Sequence, residues 1–427
     1  MLKFLVPIIL MMIMKNKNFK FMICILIMLF NLSMQSMENS KMSYVFMGDL
    51  LSFWMTNLTL WIMSIISMIK MNNMKMMVKI NSMMIFVLMM TFFNWNFMMF
   101  FVMFEVSMVL IVVIVMSWGY QPERIEATMF MIILTSMFTL PFFSSLMHNF
   151  KKLNFWLLET NFSTWDFMSF LLIFMVKMPV YFIHIWLPKV HVESPVHGSM
   201  ILASIMLKLG CFGMIRMTKM STKLMMKYEF MIMSFALWTT LILSLVCNIQ
   251  SDLKSLVAYS SVVHMSTTLV SITLTKSKSI LASVIIMIGH GLCSSAMFFM
   301  CNQAYKISKS RSMMLNKGIM VSMPTASTAW FFLCMSNAPM PPSINIVGEI
   351  LTFKTAISWS SSMILLVFLI MLFSSCYSII VFCVMSHGKF SININKNLFV
   401  TDKTLMITLV HIIPALAMIT KSSMMMI

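Results

Sequence analysis

Apolar residues along this chain fill long uninterrupted runs separated by short polar connections, with neither the alternation of a half-buried strand nor the single stripe of a surface helix. About 20 apolar residues in helical form cross the hydrocarbon of a bilayer. Runs that meet or approach this length lie at 4–14, 21–32, 51–69, 80–93, 97–117, 128–147, 167–187, 197–216, 230–249, 255–274, 280–304, 318–357, 361–385 and 405–420, the first two being short. The pattern predicts an all-α, polytopic membrane protein with about 14 transmembrane helices. The opening MLKFLVPIILMMIMKNK lacks an Arg- and Ser-rich transit pattern and a small-residue cleavage site, and reads as a first span.

Two spans are interrupted in the same way. VKMPVYFIHIWLPK carries Pro179 and Pro188 in the seventh, and SNAPMPPSINIVGE carries Pro339, Pro341 and Pro342 in the twelfth. Proline removes a backbone donor and clashes with the preceding turn, so both spans should be broken helices. From Pro179 to Pro339 is 160 residues, and spans four to eight map onto nine to thirteen at a similar offset. Five spans per unit is an odd number, so the second unit would insert upside down. The expected divisions are 1–77 for helices 1 to 3, 78–217 and 228–386 for two inverted five-helix repeats, and 387–427 for the last loop and helix. Paired breaks of this kind point to a transport site near the membrane midplane. Bases concentrate in loops after odd-numbered spans, which puts those loops on the inner, negative side.

Composition agrees with the membrane reading. Of 427 residues, 60% are hydrophobic and 10% are charged, against about 25% charged in a soluble protein. The net charge of +18 would suggest nucleic acid in a soluble chain, but the bases fall between apolar runs and more naturally set topology. Eight cysteines without CxxC spacing exclude a motif-held iron-sulfur cluster and read as buried packing thiols. Ten glycines form neither GxGxxG nor a Walker loop. The 60 methionines follow no ligand spacing and are apolar filler. Any redox cofactor should therefore sit on another chain.

Against that background the ionisable residues inside spans stand out: Glu105, Lys177, Lys208, and Glu349 with Lys354. A charge at mid-span opposes insertion by about 2.5–3.5 kcal/mol unless it is paired, hydrated or neutral. One reading is structural, with Glu105 and Lys177 holding two helices together and Lys354 snorkelling to an interface. The other is a proton relay, because burial and opposite charge pull the proton affinity of such groups in opposing directions. Sodium transport competes with it. His264 and His290 lie within spans and could pass protons or be satisfied core residues. His184, His191 and His197, with Lys189 and Glu193, surround the seventh-span break, whereas His148, His387 and His411 fall near span ends and should be interfacial. Without an HExxH arrangement, the eight histidines do not suggest a metal site.

Several runs carry a family resemblance: WGYQPERIEA at 118–127, MVKMPVYFIHIWLPKVHVESPVHGSM at 175–200, LKLGCFGMIR at 207–216, SDLKSLVAYSSVVHMS at 251–266, IMIGHGLCSS at 286–295 and MPPSINIVGE at 340–349. Over nearly its whole length the chain resembles the chain 4 family of NADH-ubiquinone oxidoreductase, the mitochondrially encoded, antiporter-like membrane subunits of respiratory complex I. LPKVHVESP separates this family from its chain 2 and chain 5 paralogues. His197 stands where the family usually has a small residue, and Cys211 with Phe212 replaces a Gly-Tyr pair.

The resemblance implies a proton-translocating subunit of the mitochondrial inner membrane, partnered by other complex I subunits, especially paralogous antiporter-like ones, and by lipids. NADH, FMN, iron-sulfur clusters and ubiquinone would belong to other subunits, with no cofactor, metal or nucleic acid on this chain. Position by position, the family's functional residues fall on Glu105, Lys177, Lys208, Lys254, His264, His290 and Glu349. The alternatives are a free-standing or multisubunit cation/proton antiporter and a structural membrane scaffold.

Overall fold

A computed structural model describes residues 24, 25, 27, 41, 42, 47–69, 75–149, 162–318, 324–388 and 402–420. The span expected at 4–14, and nearly all of that at 21–32, lie outside the described residues. Among the described residues the regular structure is helical apart from two strands of two residues each, β1 (Lys41–Met42) and β2 (Met47–Gly48), which pair antiparallel. This pair leaves the all-α class unchanged, answering backbone groups locally between Lys41–Met42 and Met47–Gly48.

The helices are α1 (Leu50–Met68), α2 (Lys75–Phe93), α3 (Phe97–Trp118), α4 (Arg124–His148), α5 (Thr164–Lys177), α6 (Trp186–Glu193), α7 (Val196–Ile201), α8 (Leu207–Met220), α9 (Thr222–Ile249), α10 (Leu253–Thr273), α11 (Ser277–Ser308), α12 (Pro324–Asn337), α13 (Ile344–Trp359), α14 (Ile364–Ser386) and α15 (Asp402–Ala417). A π turn, Leu202–Met206, joins α7 to α8. Among the described residues, nine helical stretches are long and apolar enough to cross a membrane. This is a multi-pass membrane protein.

Two compact units divide the chain. One takes the described residues up to Lys177 with Glu193–Leu224, and the other takes Met178–Val192 with Met225 onward. In the first, α1 starts at Asp49, whose amide donates to Ser52 Oγ at 2.8 Å while that hydroxyl donates back to the Asp49 carbonyl at 2.8 Å. A terminal donor is thereby satisfied without water. α3 and α4 turn Val109, Val113, Ile133, Met137 and Leu140 outward, as α14 of the second unit does with Leu365 and Phe368. Such surfaces suit hydrocarbon.

α10 shows how a polar sequence survives inside a membrane fold. Ser260, Ser261, Ser266, Thr267, Thr268, Ser271 and Thr273 are all buried, and each hydroxyl donates to the carbonyl three residues earlier at 2.6–2.9 Å. With its hydroxyls answered locally, α10 can pack against α11 and α13 without stranding polar groups.

The seventh and twelfth spans are both interrupted, as expected. α5 stops at Lys177, where Pro179 disfavours helix at Met178. The chain crosses the gap with bonds from the Ile183 amide to the Val180 carbonyl and from the Leu187 amide to the His184 carbonyl, each 3.0 Å, and with Phe182 at φ 76°. Pro188 takes no part in this interruption. It sits in the first turn of α6, where a missing N–H costs nothing. α12 stops at Asn337 and α13 resumes at Ile344, and Asn345 Nδ2 donates to the Ser336 carbonyl at 2.8 Å, answering an acceptor freed by the break.

α11 and α13 approach closely because Gly348 lacks a side chain. A Cβ there would lie 2.5 Å from Ile286 Cγ1 and 3.3 Å from the Ile286 backbone nitrogen. Small residues at such contacts let membrane helices pack backbone to backbone. Gly348→Val should therefore push α13 off α11 and cost about 1–3 kcal/mol. Thermal unfolding in mild detergent checks this; an unchanged midpoint would contradict the close approach.

Candidate functional site

In the first unit the site is organised by α3, α5 and the α7–α8 span. Glu105 lies near the middle of α3 and Lys177 is the last residue of α5, so the break leaves the lysine at a helix end inside the apolar body. Lys177 Nζ is 3.4 Å from Glu105 Oε1, and the two side chains are 3% and 30% exposed respectively. That separation is long for a charge-assisted hydrogen bond, which prefers about 2.7–2.9 Å. The ammonium also lies 4.1 Å from the centre of the Phe104 ring, whose π face supports a cation. Phe104 belongs to a packed aromatic group with Phe97, Phe100, Phe142, Phe170 and Phe174. These rings fix the two backbones that carry the pair.

α8 reaches α5 through Gly213, where a Cβ would fall 2.1 Å from Phe174 Cε1. Lys208, one turn nearer the start of α8, is fully buried and donates from Nζ to the Ala203 carbonyl at 2.6 Å. The acceptor lies in the π turn, where the Leu207 amide bonds to the Leu202 carbonyl five residues back. A π turn shifts carbonyls out of the ordinary helical ladder, and Lys208 folds back onto one of them. At the other end of α8, Arg216 is ion-paired to Asp49 of the segment that starts α1.

In the second unit four side chains converge. His264 of α10 has Nδ1 3.0 Å from Glu349 Oε1 of α13 and Nε2 3.3 Å from the Tyr377 hydroxyl of α14. The rings of His264 and His290, on α11, are 5.4 Å apart. All four residues are buried, with Tyr377 fully so. Lys254, at the start of α10, is buried with its Nζ 3.5 Å from the Val192 carbonyl.

Every expected site residue is thus buried or, for Glu105, half-buried, and two pairs are brought into direct contact: Glu105 with Lys177, and His264 with Glu349. Lys354 is exposed on α13. His191 is stacked flat on Phe298 at 4.5 Å, and His184 on Tyr181 at 5.3 Å. His148 and His387 are exposed. His411 corrects the interfacial expectation. α15 packs on α11 and α12, so this mid-helix residue is 1% exposed, with Nδ1–H donating to the Ile407 carbonyl at 2.8 Å. Tyr377 was missed by sequence reasoning, although a phenol within FSSCYSII, in an otherwise apolar span, is a signal of the same kind as a mid-span charge. No group of three or more His, Cys, Asp or Glu residues suited to a metal occurs among the described residues.

Comparison with known proteins places this geometry in context. Residues 94–378 match the family described as "NADH:quinone oxidoreductase/Mrp antiporter, TM", which defines the class as an antiporter-like transmembrane protein. NADH-ubiquinone oxidoreductase chain 4 of Ceratitis capitata is 34% identical over 384 residues, covering 87% of this chain and 85% of the relative. That of Lumbricus terrestris is 33% identical over 416 residues, covering 92% and 90%. A chain in the structure titled "Respiratory complex I from Thermus thermophilus with bound NADH" shares the fold, with a TM-score of 0.87, 17% identity, and coverage of 97% of this chain and 94% of that one. The chain belongs to the NADH-ubiquinone oxidoreductase chain 4 family.

Lys208→Met would leave the Ala203 carbonyl buried without the Nζ donor, at a cost of about 1–3 kcal/mol, whereas Lys208→Gln keeps an amide donor and should cost less. Unfolding midpoints of the two variants in mild detergent test this ranking; equal midpoints would contradict it.

Proposed function

We propose that this chain is a membrane-arm subunit of NADH:ubiquinone oxidoreductase, respiratory complex I, in the mitochondrial inner membrane, and that it moves protons while electrons pass from NADH to ubiquinone on other subunits. FMN, the iron-sulfur clusters and the quinone site belong to those subunits. Its neighbours are other complex I subunits, among them paralogous antiporter-like chains, and lipids. The reading includes 14 transmembrane helices, with inverted five-helix repeats at 78–217 and 228–386 flanked by 1–77 and 387–427. Family membership supports the assembly and the activity.

The observation that carries the mechanism is the Glu105–Lys177 pair at the end of a broken helix. Two long side chains in apolar surroundings, 3.4 Å apart, can separate without unfolding anything. Moving the carboxylate away from the ammonium favours release of a proton from the lysine, and its return favours uptake. In this reading Lys208 receives the proton and passes it laterally, Lys254, His264 and His290 extend the path, and Glu349 is the terminal exchange group. The hydrogen bond between His264 and Glu349 supports the last step, since each partner can hold the proton that lies between them.

A scaffold reading assigns the same residues to helix association only. Lys177→Met separates the two. It is expected to leave assembly and NADH oxidation by an artificial acceptor intact, while NADH:ubiquinone turnover with proton pumping in proteoliposomes falls by about tenfold or more. Pumping at the wild-type rate would refute the relay.

A further inference from the structure

Tyr377 is the one member of the second-unit cluster to which no role has been given. It is fully buried on α14, and its hydroxyl is 3.3 Å from His264 Nε2. With Glu349 ionised, the chemistry of the two contacts on the imidazole sets their sense. An ionised Glu349 can only accept, so Nδ1 must carry the hydrogen that lies between them. In a neutral ring Nε2 is then an acceptor, and Tyr377 must donate to it. When the ring takes a second proton, at Nε2, the phenol can turn about its C–O bond and accept instead. Of the side-chain types present, only a hydroxyl serves both charge states from one position. Glu349 and His290 face the ring from α13 and α11, and of these the carboxylate occupies the opposite nitrogen while His290 makes a ring contact.

We propose that Tyr377 is the positioning residue of the terminal exchange group: it holds neutral His264 in the tautomer whose Nδ1–H faces Glu349 and remains its partner when the ring is doubly protonated. The proposal rests on the proton-relay reading. Tyr377 gains and loses no proton in it. In each exchange the doubly protonated ring breaks its Nδ1–H bond as an O–H bond forms on Glu349, leaving a neutral ring whose Nε2–H donates to the Tyr377 oxygen; the reverse step restores the doubly protonated ring, and the tyrosine keeps it aligned through both.

The test uses the assembled complex in proteoliposomes. Tyr377→Phe removes one oxygen and keeps the ring that fills the site. Electron transfer to a soluble artificial acceptor should be unchanged, and NADH:ubiquinone turnover with pumping should fall roughly tenfold, the effect of leaving a buried imidazole nitrogen unanswered. The solvent deuterium isotope effect on that turnover should rise, because proton exchange at His264 becomes the slow step. A merely structural tyrosine would lower the unfolding midpoint without moving the isotope effect. Turnover and isotope effect both at wild-type values would overturn the proposal. If Tyr377→Phe does not assemble, Tyr377→Gln is compared with Tyr377→Met: higher turnover in the glutamine variant supports the role and equal turnover contradicts it. Lys177→Met serves as the control. If it is crippled while Tyr377→Phe is normal, the tyrosine proposal alone fails; if it pumps normally, the relay itself fails.

Discussion

Polar groups held in hydrocarbon have to find their partners within the protein, and the other features of this chain follow from how that demand is met. Backbone groups meet it by staying helical, and serine and threonine hydroxyls by bonding back along their own helix, as throughout α10. Lys208 also bonds back along its own span, to the Ala203 carbonyl, whereas other charged side chains reach neighbouring helices. Lys177, His264 and Glu349 are buried and Glu105 half-buried, at the cost of depending on each other as pairs. A group that depends on a movable partner is also one whose protonation can be switched.

The two breaks serve that arrangement. Ending α5 at Lys177 places an ammonium at a helix end, beside an aromatic face and a carboxylate. The second break is closed by Asn345 on the Ser336 carbonyl, which steadies the start of α13 five residues before Glu349 turns the next helical face toward His264. The π turn does similar work in the first unit by offering Lys208 a carbonyl that an ordinary helix would have used internally.

Which parts of this were legible in the sequence follows from which parts are local. The length of an apolar run is local, so α1, α3 and α10 begin and end close to where hydropathy puts them. Burial cost is local as well, and it singled out Glu105, Lys177, Lys208 and Glu349 before any partner was known. The rotation of one helix about its axis relative to another is not local. Hence Tyr377 escaped notice although it completes the His264 site, and His411 was assigned to an interface although α11 and α12 enclose it. The π turn was invisible for a related reason: it is a change of hydrogen-bond register within a sequence whose apolar pattern is unbroken. Pro188 shows the limit of reading proline as a breaker, since the first turn of α6 accommodates it.

The most direct test of the whole reading is where the chain resides. Mildly solubilised mitochondrial membranes run on a native gel, stained for NADH oxidation and searched for this chain by mass spectrometry, give the answer. The expected result is its presence in the large NADH-oxidising band. Its migration apart from all NADH-oxidising activity, under conditions that keep that assembly intact, would contradict the assignment and turn attention to cation-driven transport by the chain alone.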